Sequence, residues 1–99
     1  MRDEFINKIG VYGQMHYRYL RENKPSVLGV MRMKGTLRQY LEEVNTDAEE
    51  MLAWLETEMA KNEGVTEALK RQDQMAWVQR MNSIRDRAME IVNHDLIYS

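Results

Sequence analysis

Two histidines, His16 and His94, and a scatter of carboxylates are the residues of this 99-residue chain with acid–base or metal-binding potential. Neither histidine sits in an HExxH pattern, and the chain has no cysteine. Thiolate-held zinc, iron–sulfur clusters, disulfides and a thiolate nucleophile are therefore all excluded. A serine nucleophile needs a strained turn beside a histidine and an acid. Ser83 falls inside a helical run, and nothing around Ser26 or Ser99 supplies that setting. No glycine-rich phosphate loop is present. Asp73, Asp86, Glu90 and Asp95 stand singly among Arg80, Arg85 and Arg87, a pattern that fits salt bridging better than proton transfer. With no convergent acid, base and nucleophile, the expectation is a non-enzyme with no metal, cofactor or small-molecule substrate.

The stronger chemical signal is charge. Residues 1–40 sum to +5, residues 41–64 to −7 and residues 65–99 to zero, within a net charge of −2. In the basic third, Arg18, Arg21, Lys24, Arg32, Lys34 and Arg38 interleave with Tyr17, the composition that phosphate backbones favour. A short helix–turn–helix over residues 9–34 would present them. The competing reading is that these cations neutralise the acidic segment within the fold or across a dimer.

The elements that must carry these residues are helical throughout. Trp77, Met81, Ile84, Ala88 and Ile91 follow at spacings of 4, 3, 4 and 3, one face of a helix. Val78, Val92 and Leu96 widen that face. Thr66 is the expected N-cap of one rod over 66–97, roughly 48 Å long at 1.5 Å per residue. Leu37, Leu41, Val44, Ala48, Met51, Leu55 and Met59 repeat at heptad spacing, which predicts a second long helix over 36–62 packed near-antiparallel on the first. Thr36 and Gln39 match a capping box at its start. Asn45-Thr46-Asp47 is its weak point, which leaves room for a kink rather than a break because the apolar row continues through it. Glu63-Gly64 is read as the tight turn that sends the chain back.

Before these come two shorter helices, 9–23 and 25–34, divided at Lys24-Pro25 and closed by Gly35. Val11 or Tyr12, Met15, Tyr19 and Leu20 form the apolar stripe of the first, with Gly13 marking its start or a close helix contact. Residues 1–8 show no period and are expected to fray. The fold class is thus all-α: a single domain over 1–99, built as a long antiparallel hairpin with two short N-terminal helices, of helical-bundle type. Tyr40, Leu52, Trp54 and Met75 fall off the main stripes, which points to a homodimer surface unless the N-terminal helices cover them. Asn82 and Arg85 flank the last stripe as a polar pair suited to fixing helix register or dimer alignment.

At 43% apolar and 30% charged, the chain has the composition of a soluble helical protein. No signal-peptide run or membrane span is present, so a cytoplasmic location is expected. Nine methionines suit an adaptable core or partner surface.

YGQMHYRYLRENKP, MKGTL and EGVTEALKRQDQMAWVQRMNSIRDRAMEIVNHDLIYS together resemble the small transposon-encoded TnpV proteins of bacterial mobilisable elements. The resemblance runs from about Gly10 to the C-terminus. Its most specific blocks are Glu63 to Leu69, Asp73 to Arg85 and Asp95 to Ser99. Members of that family usually carry a longer N-terminal leader, so the resemblance implies that the leader is either lacking here or shortened to residues 1–9. The resemblance implies an accessory protein that sits beside a recombinase in a mobile element, likened to excisionases, with DNA or the recombinase as partner. It assigns no catalytic residues. The other class of function left open is a dimeric adaptor or inhibitor that binds protein and no DNA.

Overall fold

The computed structural model describes residues 4–99, and among them the fold is all-α, with five helices and no strand. A 3₁₀ turn, Glu4–Lys8, leads into α1 (Val11–Asn23), α2 (Pro25–Lys34) and the long α3 (Leu37–Asn62). Then come α4 (Glu67–Gln72), α5 (Gln74–Val92) and a closing π-type turn, Asn93–Ile97. The molecule is a rod, 55 × 21 × 17 Å. Fraying was expected over residues 1–8. Residues 1–3 lie outside the described part, but residues 4–8 form the 3₁₀ turn and set Phe5 and Ile6 against the core.

α3 and α5 are the packed pair, and they run antiparallel. Ala88, Val92 and Ile97 towards the end of the chain bury against Ala48 and Leu52, while Arg85 reaches Glu56 further along α3 and Arg87 reaches Glu63 just past its end. The expected return at Gly64 and single rod over 66–97 are both corrected. Gly64, in the left-handed region, closes α3 with Val65 N–H donating to Ala60 O (2.9 Å). The chain then makes only the short α4, capped by Thr66 Oγ1 accepting from Leu69 N–H, and α4 packs on α5 rather than α3. A second break follows at Asp73, whose extended backbone (φ −150°) ends α4 and whose carboxylate accepts from Ala76 N–H (3.1 Å). Asp73 is thus a helix cap. The reversal is spread over two corners, at Gly64 and Asp73.

The seam is also turned relative to the expected stripes. On α5 the buried row is Ile84, Ala88 and Val92; Trp77 and Met81 are half-buried, and Val78 and Ile91 are exposed. On α3, Leu52 joins Leu37, Leu41 and Ala48 in the core, and Asn45 is buried among them. The Thr36–Gln39 capping box does not form. Thr36 N–H is used to close α2 on Met31 O (3.0 Å), its hydroxyl makes no cap, and Gln39 reaches forward to Glu43.

α1 and α2 cover one end of this rod. Ile9, Leu20, Leu28, Leu37 and Leu41 form one core cluster there, with Tyr17, Tyr19 and Met31 around it. Ala48, Leu52, Ala88, Val92 and Ile97 form the second, and Tyr12 and Met15 of α1 pack onto it.

Candidate nucleic-acid interface

α1 starts without a cap of its own. Its first free N–H groups, of Tyr12 and Gly13, donate instead to Asn45 Oδ1 of α3, at 3.0 and 3.1 Å. Asn45, 8% exposed, therefore satisfies two orphan donors of another helix, and the weak point read in α3 is a cap acting in trans. Two glycines make the approach possible. Gly10 has φ +98°, and a Cβ there would meet the Asn45 amide at 2.4 Å; a Cβ on Gly13 would lie 2.9 Å from Leu41 O. The buried face of α1 is consequently Gly13, His16 and Leu20, with Val11 out in solvent.

His16, only 2% exposed, is the second clasp. Its Nδ1 lies 2.7 Å from Ile97 O, an atom that can only accept, so Nδ1 carries the proton. Nε2 then accepts from Tyr40 Oη–H at 2.8 Å. One imidazole joins α1, α3 and the final turn. Burial holds the Tyr40 hydroxyl above the usual phenol range. Both ring nitrogens are engaged within the protein, and the ring is buried away from solvent. The sequence carried a usable sign: His16 stands midway between Tyr12 and Leu20, four residues from each.

With α1 and α2 fixed, the six cations can be placed. Arg21 of α1 lies over the Tyr17 ring, 5.7 Å from its centroid, and Arg32 of α2 donates from Nη2 to Tyr17 Oη at 3.1 Å. Tyr17 therefore gathers one cation from each helix. Lys24, at the corner between them, sits over Tyr19 at 5.8 Å. Such exposed cation–π contacts are worth about 0.5–1 kcal/mol and leave the charge facing water. Arg18 is exposed on α1 and Lys34 in the last turn of α2. Arg38 is set apart: its Nε is 3.2 Å from Glu42 Oε2 and its guanidinium is 5.9 Å from the Phe5 ring.

Glu56 of α3, and Glu63 just past its end, face arginines of α5. Arg87 grips Glu63 through both nitrogens, at 2.6 and 2.9 Å, and Arg85 lies 3.5 Å from Glu56. The Arg87 hydrogen bonds hold the Glu63 carboxyl below the usual carboxylate range. Among the described residues no group of three or more His, Asp or Glu could hold a metal ion. No described helix is long and apolar enough to cross a membrane.

The family described as transposon-encoded protein TnpV matches residues 1–97, reaching back past Gly10 to the first residue. The chain belongs to the TnpV family. In this TnpV protein the family match spans α1, α2, the α3–α5 pair and the π-type turn up to Ile97. No curated protein and no solved structure matches this chain.

Proposed function

We propose that this TnpV protein is a non-enzymatic accessory factor of its mobile element, working in the cytoplasm by binding DNA as a pair of identical subunits. The observation that carries the reading is the meeting of Arg21 and Arg32 on Tyr17, with Arg18 and Lys34 on the same two helices and Lys24 at the corner between them. Membership of a transposon-encoded family supplies the context. Arg18, Arg21, Lys24, Arg32 and Lys34 would touch phosphates, with Arg38 at the margin, held by Glu42. The acidic side of α3 would face protein, the recombinase being the natural candidate, in the manner of an excisionase.

A gel-shift assay with the end sequences of the element tests this. Binding should weaken steeply with salt, and Arg18→Ala with Lys34→Ala should lower the slope of log K against log salt by about 0.9 per lost phosphate contact. Absence of binding at low salt, or binding indifferent to salt, removes the DNA reading. A second reading, a dimeric adaptor or inhibitor that takes protein alone, draws on Trp54, 62% exposed on α3 and outside both core clusters. Capture of the recombinase without DNA, abolished by Trp54→Ala, would favour it.

A further inference from the structure

α2, ten residues long, buries one side chain fully and leaves three apolar ones in water. Leu28 packs with Leu20, Leu37 and Leu41, and Met31 beside it is half-buried. Val27, Val30 and Met33 stand exposed, Met33 at 89%. At about 100° per residue, Ser26, Val30 and Met33 fall on the side of α2 turned away from Leu28. With Gly29 and Arg32 they line one shallow, open concavity.

Gly29 sits in that face without an internal reason. It is helical and is not among the positive-φ glycines Gly10, Gly35 and Gly64, and a Cβ built on it would meet nothing within 4 Å. As a helix former glycine ranks last but for proline. Gly10 and Gly13 make room for Asn45 and for the Leu41 carbonyl, whereas Gly29 makes room for nothing among the described residues. What it provides is a bare stretch of helix backbone that another molecule can approach closely.

The charge on α2 is of one sign. The helix carries Arg32 and Lys34 and no acid, Lys24 precedes it, and Arg18 and Arg21 lie on α1, whose one acid is Glu22. Arg32 is steadied by Tyr17 Oη, 3.1 Å from its Nη2. A polyanion matches that rim. The face inside the rim says which polyanion. It has no Trp, Phe or Leu for a lipid surface to take up, and no aromatic anchor for a protein partner. It offers a hydroxyl, apolar side chains and bare backbone. Those suit base edges in the major groove of DNA, where a hydroxyl can donate or accept and apolar carbon meets the thymine methyl.

We propose that α2 lies in the major groove of duplex DNA and favours A·T pairs, with Val30 and Met33 packing on thymine methyls and Gly29 letting the helix come close. A helix with its side chains is about 10–12 Å across, and the groove is about 12 Å wide. At 1.5 Å per residue α2 is about 15 Å long, the rise of about four base pairs. Lys24, Arg32 and Lys34 then reach the phosphates that border the groove. This rests on the DNA part of the proposed function, and adds to it the element that meets the bases and the pairs it prefers.

Fluorescence anisotropy of the full-length chain decides it, on labelled duplexes of alternating adenine and thymine and on the same duplexes with uracil for thymine. Uracil keeps the charge and the pairing and removes only the methyl. The uracil duplex should bind about fourfold more weakly for each methyl lost from contact. Gly29→Leu should cut affinity at least about tenfold while helical circular dichroism is kept. Val30→Ser with Met33→Gln should erase the thymine–uracil difference and leave the slope of log K against log salt as in the wild type, since no phosphate contact is removed. No binding to either duplex at low salt overturns the DNA reading and this one together. Salt-dependent binding that does not distinguish the two duplexes, or that Gly29→Leu leaves unchanged, overturns the placement of α2 and leaves the phosphate contacts standing. Pelleting with phosphatidylserine vesicles, lost on Met33→Gln, overturns it in favour of a lipid surface.

Discussion

The two ends of this rod share α3 and are finished differently. At one end, α1 and α2 lie over α3, α1 also meets the closing turn, and even the polar side chains there, His16 and Asn45, are buried with their hydrogen bonds made. At the other, α3, α4 and α5 leave Met75, Val78 and Trp54 in water, and Glu56 lacks a donor. A helix pair buries one seam; a third helix is needed to shelter its flanks. The comparison teaches where stability resides: the covered end holds the fold.

Substitutions can break that contrast. Asn45→Ala strands the Tyr12 and Gly13 N–H groups and should cost about 2–3 kcal/mol, whereas Trp54→Ala should stay within about 0.5 kcal/mol. Urea denaturation of both variants at low protein concentration measures the difference; equal losses would dissolve the distinction. A smaller effect is expected at alkaline pH. The Tyr40 hydroxyl ionises later in the fold than in the unfolded chain, whose value is near 10.0. The folded state then holds the proton longer, so stability is full below pH 10 and falls as pH rises through the folded value. Melting temperatures across that range should show the drop, and Tyr40→Phe should flatten it.

Smallest of all is the Glu63–Arg87 pair at the second end. Glu63 is depressed, so its contribution is present above its unfolded value near 4.5 and is lost as pH falls through the lower folded one. Being exposed, the pair is screened. Glu63→Gln should lower the melting temperature slightly at pH 7 in low salt, and by less in high salt.

What could be read ahead of the structure follows the range of each interaction. The helical class, the stop at Gly35 and the Thr66 cap depend on residues within a few positions of one another, and all three are where the pattern put them. Asn45 was legible only as a blemish in α3, because the donors it serves lie 32 and 33 residues earlier. The corner at Asp73 was hidden for another reason. The apolar row begins at Trp77 and is silent about residues 66–73, so only an aspartate in capping position spoke for a break. Of the candidate interface, the six charges were plain, but their gathering at Tyr17 depends on how α2 folds back on α1. On α5, Met75 was legible as off-stripe, whereas Val78 was assigned to the buried face and stands exposed.

The imidazole at position 16 finds its acceptor 81 residues downstream. On a ribosome, the first helix is made early and must wait for almost everything else before its clasp can shut. Such a long-range closure is slow to reward the chain for ordering itself. Until residue 97 has emerged, the nascent protein carries a half-sheltered leading segment, so a translation stall late in the message would leave this molecule with its best-built end undone.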